Sequence, residues 1–132
     1  MAHSGAARAG MVNLTRTAAY EWGPHGVRVN CVAPGWIASS GMDTYDGMTR
    51  ALIPGLKNHV PLGRIGVEAE VASVICFLLS PAASFITGVT VPIDGGAPLG
   101  SPLYPLAPGK STKPFEGFHR AVTPDVLLRD AG

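Results

Sequence analysis

Ser4 and Arg8 stand four residues apart in the opening stretch HSGAARAG, residues 3–10, a spacing that stacks both side chains on one face of a helix. A serine hydroxyl gives and takes hydrogen bonds but is far less acidic than a phenol, so it is a poor general acid. An arginine guanidinium keeps its charge and offers several donors in a fixed fork. Together they can bind hydroxyls and oppose negative charge on an oxygen, without any group that titrates near neutrality. The plainer alternative is a small helix residue beside a solvated arginine. A second cluster is APGWI, residues 33–37, which ends an apolar stretch with Pro34 and Gly35. Open α/β sheets bind ligands at the carboxyl ends of their strands, where such a turn sits.

These residues need elements to hold them. Residues 2–22 form a predicted helix, with Ala7, Met11, Leu14 and Ala18 as its apolar stripe and small residues in its first turns. GPHG, residues 23–26, ends it. VRVNCVAPG, residues 27–35, reads as a strand buried on both faces, as in a parallel sheet. Residues 36–66 are loop-rich, with one or two short helices expected in MTRALIPGLKNH. A second helix is predicted over 67–80, with Val71, Val74, Ile75 and Leu78 on one face and Glu68 and Glu70 favoured by the dipole of its first turn. Ser80-Pro81 stops it. A second buried strand is expected over 89–93; Asn30 is read as a structural residue where the first strand meets its loop, and Asp94–Gly96 as a turn and subunit contact, not catalytic.

The order helix, strand, loop, helix, strand makes an α/β unit. Two strands cannot cover two helices. The expected fold class is therefore the C-terminal portion of a Rossmann-like doubly wound parallel sheet, with the N-terminal nucleotide-binding strands missing, as a truncated gene would give. Residues 1–97 form that portion. Residues 98–132 form an arm holding six of the chain's twelve prolines, with a short helix expected around 122–129.

Composition narrows the function. Charged residues make up 14% and apolar ones 46%, which suits a packed core, and the net charge of +1 with no basic run gives nucleic acid no surface. No apolar run approaches the roughly 20 residues a membrane span needs, and no signal peptide is evident. Cys31 and Cys76 read as two buried, reduced thiols. His3, His25, His59 and His119 are scattered, and no Cys/His spacing suggests a metal.

The motifs LTR..A.EW, GVRVNCVAPG, GR.G, FLLSPAASFITG and DGG, in this order over residues 2–97, resemble the C-terminal half of short-chain dehydrogenase/reductases. HSGAARAG with SPAASFITG is most similar to the peroxisomal trans-2-enoyl-CoA reductase branch and its bacterial relatives. The resemblance implies an oxidoreductase using NADP, or NAD, with an acyl-CoA as its small-molecule substrate. It also implies a homo-oligomer packed through the second helix and the 89–93 strand, and a fragment that is inactive alone. By the family pattern, Ser4 stands where a tyrosine is usual and Arg8 where a lysine holds the cofactor ribose. Arg8 is thus both a catalytic-site and a cofactor-binding candidate. Pro34, Gly35, Ile37 and Ser39 follow as cofactor-binding residues, with Trp36 and Tyr45 in the substrate lid. Tyr20 lies sixteen residues beyond Ser4, about 24 Å along a straight helix, and cannot replace the missing phenol. An alcohol or carbonyl oxidoreductase of the same family on terpenoid or acyl substrates, and an inactive fragment acting only in subunit packing, are the competing readings. The chain ends in DAG, not a peroxisomal tripeptide, and a cytoplasmic location is expected.

Overall fold

The computed structural model describes residues 1–100, 107, 109–115, 117 and 123–128. The chain forms two compact units, residues 1–33 with 74–92, and residues 34–73 with 93–132. Among the described residues, no helix is long and apolar enough to cross a membrane.

In the first unit, helix α1 spans Ala2–Trp22 and runs into a 3-10 turn, Gly23–His25. The turn closes at Gly26, whose φ of 76° is the left-handed conformation that glycine adopts without strain. The face α1 buries is Thr15, Ala18 and Ala19, while Met11 is 58% exposed and Leu14 and Ala7 are also open. The expected stripe is therefore covered only at Ala18. Small residues decide the contact: a Cβ on Gly88 would lie 3.4 Å from the Ala19 Cβ, so the backbone approaches closely here. The Thr15 hydroxyl is satisfied within the helix by donating to the Met11 carbonyl at 2.9 Å.

Strand β1 is Cys31–Pro34, shorter than the expected 27–35. Apart from a backbone bond from the Gly88 N–H to the Val29 carbonyl at 2.7 Å, residues 28–30 bond through side chains. Arg28 reaches the carbonyls of Ser80 and Ile86 (both 3.4 Å), Val29 N–H donates to the Thr87 hydroxyl (3.0 Å), and the Asn30 amide joins the Ile86 carbonyl to the Val89 N–H (2.9 and 3.3 Å). β1 pairs with β4, Thr90–Ile93. Cys31 N–H meets the Val89 carbonyl (2.9 Å) and Gly35 N–H the Ile93 carbonyl (3.0 Å), so both chains advance together and the pair is parallel. Burial on both faces is not observed: Cys31 and Val32 are half-buried, while Ala33 and Pro34 are exposed, because β4 is the neighbour β1 has in this sheet.

Helix α3, Glu68–Leu79, buries Ala69 and Leu78, half-buries Val71 and Val74, and leaves Ile75, Phe77 and Leu79 open. Cys76 is exposed, against the expectation of a buried thiol, because the C-terminal half of this helix is apolar all round and one face has no cover among the described residues. The Ser80 hydroxyl accepts the Ala82 N–H at 3.2 Å and turns the chain into the 3-10 segment Pro81–Ala83.

In the second unit, the loop region holds a 3-10 turn, Ser40–Thr44, helix α2, Gly47–Leu52, and a 3-10 segment, Ile53–His59. Strand β2, Ile37–Ala38, pairs in parallel with β3, Gly66–Val67, a ladder too short to leave a periodic signal. A small core of Met42, Ile53 and Val126 takes in Leu56, Ile65 and Leu127 at its edge. Val126 and Leu127 belong to α4, Asp125–Leu128, inside the stretch where a short helix is expected; Thr123 and Pro124 precede the helix, and residues 122 and 129 lie outside the described residues.

Candidate active site

Ser4 and Arg8 lie on α1 and continue, toward its N-terminus, the face that Thr15 and Ala19 bury, since Ser4, Arg8, Val12, Thr15 and Ala19 recur at helical spacing. Ser4 is half-buried and Arg8 exposed, and neither forms a hydrogen bond or ion pair among the described residues. Among the described residues, a hydroxyl and an unpaired guanidinium are thus both available to a ligand on one helix face.

The other candidates sit in the second unit. The Pro34-Gly35 turn leads into β2 under a tight constraint: a Cβ on Gly35 would stand 2.7 Å from the Asp94 Cβ and 2.8 Å from its Cα. Asp94 belongs to a turn of its own, with its Oδ1 accepting the Gly96 N–H at 2.8 Å. Gly95 and Gly96 there have φ of 63° and 82°. The DGG stretch forms the expected turn.

β2 then presents backbone groups. Gly66 N–H donates to the Trp36 carbonyl at 2.9 Å, with Ile37 in register with Gly66. In a parallel ladder of this register, the N–H and C=O of Ile37 point to the opposite edge. They have no partner there among the described residues. One donor and one acceptor on a single residue match a primary carboxamide. Ser39 follows, half-buried, with a hydroxyl that has no hydrogen-bond partner among the described residues. Within the second unit these groups fit part of a nicotinamide cofactor: a carboxamide on Ile37 and a phosphate or ribose oxygen on Ser39. Trp36 and Tyr45 are exposed, and Tyr45 N–H donates to the Met42 carbonyl at 3.4 Å.

One ion pair supports this region, and sequence reasoning missed it although GR.G flagged its neighbourhood. Arg64 grips Glu70 with both terminal nitrogens (2.8 and 2.6 Å), and Glu70 Oε2 also accepts the Val67 N–H at 2.9 Å. Glu70 thereby ties β3, the partner of β2, to the first turn of α3. Both side chains are mostly covered, 18% and 20% exposed. The Arg64 hydrogen bonds hold the Glu70 carboxyl below its ordinary pKa, aided by the Val67 N–H and opposed by burial. A carboxyl depressed on folding stabilises the fold above its unfolded pKa, and that contribution fades as pH falls through the lower folded one. Urea unfolding at pH 7 and pH 3 checks this. Glu70→Gln should lower the midpoint at pH 7 and lose less than the unsubstituted chain on acidification. Equal pH dependence of the two proteins would contradict it.

Residues 1–98 match the family profile described as Enoyl-(acyl carrier protein) reductase. The chain is 44% identical over 100 residues to the probable 2,4-dienoyl-CoA reductase [(2E)-enoyl-CoA-producing] of Bacillus subtilis, covering 71% of this chain and 37% of that protein. It is 46% identical over 97 residues to the peroxisomal 2,4-dienoyl-CoA reductase [(3E)-enoyl-CoA-producing] of Danio rerio, covering 72% and 32%. Among solved structures, it is 60% identical to the citronellol catabolism dehydrogenase AtuB of Pseudomonas aeruginosa PAO1, with a TM-score of 0.59 and coverage of 74% and 35%. The chain therefore spans about a third of the length of these relatives.

Proposed function

Because the chain belongs to the short-chain dehydrogenase/reductase family, we propose that the protein carrying it reduces the C=C bond of a trans-2-enoyl-CoA thioester with NADPH. The observation that carries this reading is a hydroxyl, Ser4, and a cation, Arg8, unpaired among the described residues, one turn apart on α1 with no phenol between them. Carbonyl reduction must protonate an oxygen, which calls for a tuned acid beside it. A conjugated thioester instead gathers negative charge on its oxygen and takes its proton on carbon, so hydrogen-bond donors suffice at that oxygen. The nicotinamide cofactor supplies the hydride when bound.

Each residue then has a defined task. Arg8 holds the ribose hydroxyls as a fixed charge. Pro34 and Gly35 shape the turn that sets Ile37, whose backbone pair takes the carboxamide, and Ser39 adds a hydroxyl donor. Ser4 donates a hydrogen bond at the reacting end. Trp36 and Tyr45 cover the acyl portion. The arm 98–132 follows the family segment 1–97, and the open apolar side chains of α3 support assembly into a homo-oligomer.

The likeness to the citronellol catabolism dehydrogenase favours a second reading, an alcohol or carbonyl oxidoreductase acting on terpenoid substrates. One assay separates the two. The protein is supplied with NADPH and either crotonyl-CoA or simple ketones, and with NADP and citronellol, and cofactor absorbance is followed. The first reading expects turnover with crotonyl-CoA. Turnover confined to ketones or citronellol removes it. Within the active protein, Arg8→Met should weaken NADPH binding about tenfold, the scale of a lost charge-assisted hydrogen bond. Unchanged affinity would take Arg8 out of the cofactor site.

A further inference from the structure

The tail helix α4 lies beyond residue 98, where the family match ends, yet it is bonded to the loop that follows the Pro-Gly turn. Asp43 makes the connection. Its Oδ2 accepts the Asp125 N–H and its Oδ1 the Val126 N–H, both at 3.2 Å. These are the first N–H groups of a helix, which have no partner inside it. Arg50 holds Asp43 from the other side, donating to its carbonyl at 2.9 Å and lying 3.8 Å from Oδ1. Pro124 is fully buried, and Val126 completes the core with Met42 and Ile53. A four-residue helix has no stability of its own. The loop region is equally dependent, since its core includes a tail residue. The two therefore order each other.

We propose that Asp43 is a positioning residue: through α4 it fixes residues 40–59 as a wall of the substrate site, and so makes the tail a determinant of which acyl portion is accepted. The substrate-facing role rests on the function proposed above. Tyr45 is two residues from Asp43, so a loop freed at Asp43 is freed at the lid. A loosened wall weakens binding of a long acyl chain, which needs an extended apolar surface, more than that of a short one. It leaves the reacting groups on α1 untouched.

Hydrogen exchange on the 132-residue chain tests the positioning itself. Asp43→Ala, or deletion of residues 123–132, should speed exchange across 42–56 by about tenfold or more and leave the α1 amides unchanged, as local opening does. Asp43→Asn keeps one acceptor and should fall between. Unaltered exchange over 42–56 after the deletion overturns the proposal. The second readout is steady-state kinetics of the active protein. Asp43→Ala should raise KM for dodecenoyl-CoA about fivefold over that for crotonyl-CoA at near-constant kcat, the pattern of lost uniform binding. An unchanged KM ratio overturns the selective role. Exchange does not depend on turnover, so a protein inactive toward enoyl-CoA removes the reading above while the positioning of the loop is still decided by exchange.

Discussion

Gly35→Ala should destabilise the chain by about 3 kcal/mol, the upper range for forcing an extra methyl into a packed site. With a urea dependence of about 1.5 kcal/mol per molar, its unfolding midpoint falls by roughly 2 M. The size of the effect follows from what the methyl meets. It would lie 2.7 Å from the Asp94 Cβ and 2.8 Å from the Asp94 Cα, and an α-carbon cannot rotate away. Nor can the backbone shift freely. Gly35 N–H is bonded to the Ile93 carbonyl at 3.0 Å, Ala97 N–H to the Asp94 carbonyl at 3.2 Å, and the Asp94 carboxylate to Gly96 N–H at 2.8 Å. Relief requires breaking one of these. Gly55→Ala is the matched control: nothing lies within 4 Å of its Cβ and its φ is not positive, so a change within about 0.5 kcal/mol is expected. Equal midpoints for the two variants would show that the Asp94 contact is not tight. The functional consequence runs through β2. Whatever displaces Gly35 also displaces Ile37 two residues on, and with it the backbone donor and acceptor that fit a carboxamide.

The same turn shows what a sequence can and cannot reveal. α1 and α3 are legible almost to the residue, because long periodic segments end at strong breakers, GPHG and Ser80-Pro81. β4 is legible within a residue of its start. β2 and β3 are not, since two-residue strands have no period to detect. β1 is overestimated because Arg28, Val29 and Asn30 look like strand residues, yet side-chain hydrogen bonds replace most of their ladder, leaving one backbone bond at the Val29 carbonyl. The apolar pattern of α1 marks Met11 and Leu14, but the contact made is by Thr15 and Ala19, where small volume matters more than hydropathy. In the candidate site, residue types and the family likeness supply Ser4, Arg8 and the Pro-Gly turn. The free edge of Ile37 depends on register, which sequence leaves undetermined. Asp43 carries no signal at all: a lone loop aspartate acquires its role only when a segment 82 positions later brings its N–H groups.

Ile53→Ala should cost about 2–3 kcal/mol, near the low end for a buried isoleucine truncated to alanine. Ile53 is 3% exposed and packs with Met42 and Val126, with Leu56, Ile65 and Leu127 at the margin. The transfer cost of the lost carbons is unavoidable. The cavity cost is reduced because three of its neighbours are only partly buried and can close over the gap. Ile53→Val, which removes one carbon, should cost about 1 kcal/mol on the same scale. Leu52→Ala gives the contrast one residue away. Leu52 is 61% exposed, so its truncation should move stability by less than about 0.5 kcal/mol. If Leu52→Ala and Ile53→Ala proved equally costly by urea titration, the loop and tail would not share a core. The Ile53 variant should also be cut faster by trypsin after Arg50 and Lys57. Val126 and Ile53 bury each other, so a gap at one loosens the hold on the other. More of the hold on α4 then falls to Asp43, through two hydrogen bonds of 3.2 Å that water can replace.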